Sequence, residues 1–104
     1  MSADNARKIY SKDKYIILQV SNGYIVYNTN KKFEEGHTHL ESYNMAKTII
    51  NNCIHKKRPK TDNLYLITSH IRVSDDVKYI QVLNEMLAAK KNKGKKIYRN
   101  RSNK

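Results

Sequence analysis

The sequence predicts an α+β fold: an N-terminal antiparallel β-hairpin of two to three strands, packed by two main helices and followed by a flexible basic tail. Three observations carry that reading. Two β-rich runs flank an Asn-Gly pair in KYIILQVSNGYIVYNT. Apolar residues then recur at helical spacing in two later segments. The last fifteen residues, KKNKGKKIYRNRSNK, are basic and lack apolar periodicity.

Residues 1–13, MSADNARKIYSKD, show no periodicity and read as a flexible arm. Residues 14–89 read as one domain, since a chain of 104 residues can bury a single modest core. In the hairpin, Asn22-Gly23 is the preferred pair for a two-residue type I′ turn. That turn pairs Val20 with Ile25 and Leu18 with Tyr27. Alternation then puts Ile16, Leu18, Val20, Ile25 and Tyr27 on one face, which is expected to be the core. Tyr15, Ile17, Gln19, Tyr24, Val26 and Asn28 share the other.

Gly36 marks a turn, and HTHL a short third strand. Ser42 is placed to cap a helix whose apolar positions are Ala46, Ile49, Ile50, Cys53 and Ile54. Pro59 is a hard stop after it. LYLITSHIRV fits two patterns, alternation and a short helical stripe; its β-branched content favours a strand. Ser74 reads as the N-cap of the last helix, with Asp75 and Asp76 favoured by its dipole. Val77, Ile80, Leu83 and Leu87 form the expected inner stripe, and Gly94 the latest expected end.

The formal charge is +12, from 21 Lys and Arg against 9 acids. Eight of the basic residues fall in 90–104 and none of the acids does, so residues 1–89 hold 13 basic and 9 acidic groups. A net charge of this size attracts polyanions. No run approaches 18 apolar residues, so no membrane is expected, and Cys53, the single cysteine, fits a cytoplasmic setting. P-loop, nucleophile-elbow and zincin patterns are absent, so no enzyme is expected. His37-Thr38-His39 and Cys53-Ile54-His55 resemble pieces of a metal site. Zinc needs three or four ligands, and the expectation is no metal and no cofactor. Glu34, Glu35 and Glu41 around those histidines supply the residue types of a nuclease. NGYIV resembles the first strand of GIY-YIG endonucleases, but the second half of that motif does not follow.

The basic clusters are the candidate site. His55-Lys56-Lys57-Arg58-Pro59-Lys60 closes the first helix, with Lys56, Lys57, Arg58 and Lys60 expected on phosphates. The tail adds Lys90, Lys91, Lys93, Lys95, Lys96, Tyr98, Arg99 and Arg101 as an affinity arm. Lys and Arg neutralise phosphates and release counterions, whereas Arg and Tyr stack on exposed bases. The expected partner is nucleic acid, DNA or RNA; a host protein or ribonucleoprotein is the alternative target. Neither the RRM pattern nor the helix-first order of a dsRBD is present.

In layout, YIILQVS, GYIVYNT and HTHL followed by SYNMAKTII resemble the sheet-plus-helix modules of AP2-like and integrase arm-binding domains. That likeness implies a sheet laid in a DNA groove, although the sheet-face arginines of those modules are not matched here. FEEGHTHLES and SHIRVSDDVKYI resemble small uncharacterised basic proteins of phages and mobile elements of AT-rich Gram-positive bacteria. This second resemblance implies a nucleic-acid accessory factor, or a small inhibitor of a host machine of the anti-CRISPR kind.

Overall fold

A computed structural model describes the backbone of residues 6–102 and the side chains of residues 6–91. The architecture is α+β. Strands β1 (Arg7–Lys12), β2 (Tyr15–Val20), β3 (Gly23–Asn28) and β4 (His37–Leu40) form one antiparallel sheet in sequential order. A single turn, α1 (Phe33–Gly36), joins β3 to β4; helices α2 (Tyr43–His55), α3 (Leu64–Val73) and α4 (Val77–Ser102) follow.

Arg7–Lys12 belongs to the sheet and not to an arm. It pairs with β2 across a tight turn in which Asp13 takes φ 57°. Its side chains are mostly exposed, which is why no alternation marks it in the sequence.

The central hairpin forms, but two residues out of the expected register. Val20 pairs with Gly23, Leu18 with Ile25 and Ile16 with Tyr27, so Ser21 and Asn22 make the turn. Asn22 does not adopt positive φ, and the type I′ Asn-Gly turn is absent. Gly23 serves another purpose. Its φ is +146°, and a Cβ there would sit 2.5 Å from the Leu40 carbonyl oxygen of β4.

A two-residue slip keeps each strand's faces intact, yet the buried face is the opposite of the expected one. Tyr15, Ile17, Val26 and Asn28 are buried under the helices, whereas on the other face Ile25 is buried and Ile16, Leu18, Val20 and Tyr27 are half-buried. Both faces are apolar enough to serve, so alternation alone could not choose between them. Packing chooses the face that carries Asn28, whose side-chain amide donates to the Val73 carbonyl at 2.8 Å.

The core joins that face to Leu40 of β4, to Ala46, Ile49, Ile50 and Cys53 of α2, to Val73 of α3, and to Tyr79 and Leu83 of α4. Helix α2 matches its sequence pattern. Ser42 Oγ accepts from the Met45 N–H at 3.2 Å, and four of the five expected apolar positions are buried, with Ile54 half-buried. The helix stops at His55, before Pro59, where Lys56 turns into the left-handed region at φ 57°.

LYLITSHIRV is a helix, not a strand. Asn63 caps it, its side chain accepting from the Leu66 N–H at 3.2 Å. Ile67, His70 and Val73, three apart, are buried. Polar contacts dock α3 along β4. Tyr65 Oη donates to the His39 carbonyl at 2.6 Å, and Thr38 Oγ1 lies 2.7 Å from Ser69 Oγ. Arg72 donates to the carbonyls of His37 and Glu34, both at 2.8 Å. These tertiary contacts override the strand preference of its β-branched residues.

Helix α4 starts two residues later than its sequence suggests. Asp76 is the cap, its Oδ1 accepting from the Tyr79 N–H at 2.8 Å, while Ser74 ends α3. The inner stripe is accordingly rotated to Tyr79, Leu83 and Met86, leaving Val77 78% exposed. The helix continues past Gly94 to Ser102. Among the described residues, no helix is long and apolar enough to cross a membrane.

Candidate nucleic-acid interface

The loop between α2 and α3, residues 56–63, holds the first basic cluster, and it is tied down along its length. The Lys57 N–H donates to the Asn52 carbonyl at 2.9 Å, and Tyr79 Oη donates to the Lys57 carbonyl at 2.6 Å. Pro59 is buried, and the Asn63 N–H donates to Thr61 Oγ1 at 3.0 Å. Burial raises the Tyr79 hydroxyl well above its ordinary pKa, so it remains a donor to the loop.

The four expected phosphate ligands do not act alike. Lys56 Nζ lies 3.7 Å from Asp76 and also donates to the Cys53 carbonyl at 3.4 Å. It serves the α2–α4 corner. Lys57, Arg58 and Lys60 are exposed and make no ion pair among the described residues. Fixed backbone with unneutralised cations is what phosphate binding requires, because little ordering entropy remains to be lost on contact.

The two basic clusters, thirty residues apart in sequence, meet in space. Lys90 Nζ lies 2.6 Å from Asp62 Oδ1, at the far end of the same loop. With Lys56–Asp76, Tyr79–Lys57 and Lys90–Asp62, the loop runs along α4 from its first turn to the point where its basic half begins. Lys90 is therefore half-buried and paired with Asp62, whereas Lys91 is exposed. The side chains of Lys93, Lys95, Lys96, Tyr98, Arg99 and Arg101 lie outside the described residues.

Beneath the loop is a cleft of about 620 Å³ between α2 and α3. Helix α2 contributes Met45, Thr48 and Asn52, and α3 contributes Leu66 and His70. Lys57, Arg58, Pro59, Lys60 and Thr61 line it from the loop. His70 is 2% exposed, and burial lowers its pKa, so it is neutral. Its Nδ1 donates to the Leu66 carbonyl at 2.7 Å, and Asn52 Nδ2 lies 3.1 Å from its Nε2.

Tyr10, Tyr15 and Tyr24 do not form an open aromatic surface. Tyr15 is buried, while Tyr10 and Tyr24 pack against Tyr43 of α2, with ring centroids 6.4 and 5.8 Å away. On the far face of the sheet, His37 stacks on Phe33 at 4.1 Å, and His39 lies 5.0 Å from His37. Burial, followed by the charges of His37 and Arg72, lowers the His39 pKa. Cys53 is fully buried, with its thiol pushed up to about 12, and His55 is exposed, so Cys53-Ile54-His55 is not a unit. Among the described residues, no three His, Cys, Asp or Glu side chains are placed to hold a metal.

Sequence reasoning located the cations but missed Asn52 and His70. The signal available was a histidine three residues from Ile67 on a helical stripe, legible only once the segment is read as a helix. Comparison with protein-family models, curated proteins and solved structures gives no match for this chain. The site itself defines the class: a small α+β protein that displays a fixed basic loop continuous with a basic helix.

Proposed function

We propose that the chain is a non-enzymatic nucleic-acid-binding protein. Lys57, Arg58 and Lys60 meet phosphates, and the basic half of α4 extends the contact along the polyanion. The observation that supports this most directly is the loop itself: three exposed cations that make no ion pair among the described residues, on a backbone held by Tyr79, Asn52 and buried Pro59. Such contacts position the protein on any sequence, since phosphates carry no base information.

The test is fluorescence-anisotropy titration of labelled DNA and RNA oligonucleotides with the full chain and with a Lys57→Ala, Arg58→Ala, Lys60→Ala triple variant. The full chain should bind, and the variant should bind more weakly with an unchanged melting midpoint. No binding by the full chain, or equal binding by both, overturns the proposal. A protein partner that co-purifies equally well from nuclease-treated and untreated lysates would replace it with the inhibitor reading.

A further inference from the structure

The cleft under the basic loop holds a hydrogen-bonding edge with a defined orientation. His70 Nδ1 faces the Leu66 carbonyl, which can only accept, so Nδ1 carries the proton and Nε2 presents a lone pair. The group 3.1 Å from that lone pair must donate, which makes it the Asn52 NH₂ and not its carbonyl. A flipped amide would set oxygen against nitrogen lone pair. Asn52 Oδ1 and the second Nδ2–H have no other side-chain or backbone partner among the described residues. A half-buried amide on the cleft wall thus offers one acceptor and one donor side by side.

Such an edge matches a nucleobase that shows a donor beside an acceptor, the pattern by which Asn reads adenine. The surroundings suit the remainder of a nucleotide. Met45, Leu66 and Pro59 supply apolar contact for the faces of a base, and the cations of the loop stand at the rim for its phosphates. The volume of about 620 Å³ falls within the ~300–1,000 Å³ of small-ligand sites. A base in a duplex has its faces stacked on its neighbours, so only an unstacked base can enter.

We infer that this cleft receives one unstacked nucleobase of a single strand, hydrogen-bonded to the Asn52 amide, while the adjoining phosphates lie on the basic loop. The inference rests on the nucleic-acid reading above and adds strand selection to it. His70 is a positioning residue, fixing the amide without touching the base.

The experiment uses single-stranded oligonucleotides carrying 2-aminopurine, whose fluorescence rises on unstacking, together with a duplex of the same length. Two variants are compared with the full wild-type chain. Thr48→Trp fills the cleft from an exposed position on α2, and Asn52→Leu removes the amide edge at similar volume; circular dichroism melts report folding. The wild type should raise the 2-aminopurine signal and prefer the single strand. Thr48→Trp should abolish the signal and weaken single-strand binding about tenfold, within the ~1–3 kcal/mol that base contacts contribute. Asn52→Leu should reduce both effects. If both variants bind the single strand within twofold of wild type, or if duplex affinity falls as far as single-strand affinity, the inference is overturned. In either case the loop triple variant still reports separately on phosphate binding. Failure of the wild type to bind any nucleic acid removes the inference together with the reading beneath it.

Discussion

Replacing Asn28 with Ala should cost more stability than any other polar truncation in the sheet. Asn28 is fully buried on β3, and its Nδ2 donates to the Val73 carbonyl at 2.8 Å. Val73 is the last residue of α3, so its carbonyl is one that a helix end leaves without an internal partner. On its other side, Asn28 Oδ1 accepts from the Asn30 N–H at 2.8 Å, holding the chain as it leaves the sheet. The Ala variant strands a buried carbonyl, at about 1–3 kcal/mol. The Asn30 N–H is only partly buried and can turn to water, so it adds at most about 1 kcal/mol. The total is about 1–4 kcal/mol. For a domain of this size 1 kcal/mol moves the melting midpoint by roughly 4–8 °C, so the fall should be at least about 4 °C. Thermal melts by circular dichroism measure it, with urea unfolding to confirm an unchanged m-value. A drop below about 3 °C would refute the reasoning, because the α3–α4 corner would then not depend on this bond. Asn28→Asp gives an independent check. It keeps the acceptor for Asn30 but turns a carboxylate toward the Val73 carbonyl, so it should lose more stability near about pH 8 than near about pH 4.

Gly23→Ala should destabilise by at least about 2 kcal/mol, combining a strained positive φ with a Cβ 2.5 Å from Leu40 oxygen; an unchanged urea midpoint would show that β4 does not approach so closely. His70, neutral in the fold with its pKa lowered by burial, binds a proton less readily folded than unfolded. Stability should therefore be complete above about pH 6.5, the unfolded value, and decline as the pH falls below it. His70→Gln should flatten that slope in urea midpoints collected against pH, and an equal slope in both proteins would contradict the assignment.

The chemistry of the candidate site was legible in the sequence where it rested on composition. Lys57, Arg58 and Lys60 stand out as a basic run around Pro59, and all three are exposed. Helix α2 was legible for a similar reason, since a Ser cap and an apolar stripe from Ala46 to Cys53 agree with one another. Legibility failed where two local readings were equally good. Ile16 and Leu18 are as apolar as Tyr15 and Ile17, and only the helices packed above decide which pair is buried. Asn22-Gly23 looked like a hairpin turn, yet the glycine answers to Leu40, a residue seventeen positions away whose approach leaves no local mark. LYLITSHIRV carries β-branched residues that favour a strand, and it becomes a helix through the Asn63 cap and its bonds to β4. The cleft depends on Asn52 and His70 meeting across eighteen residues, and Lys90 meets Asp62 across twenty-eight. Long-range contacts of that kind are invisible to local pattern.

The central claim is that the basic loop and the basic half of α4 act together on phosphates. Its most direct test is the slope of log K against log salt for duplex DNA, measured for the full chain, the loop triple variant and a chain ending at Lys91. That cut keeps the Lys90–Asp62 contact. At ~0.9 per phosphate, loss of three loop contacts should lower the slope by about 2.7, and loss of about four helix contacts by about 3.6. The melting midpoints should stay together. Slopes and affinities that match the wild type in both variants would show that these charges only keep the protein in solution, and would contradict the account.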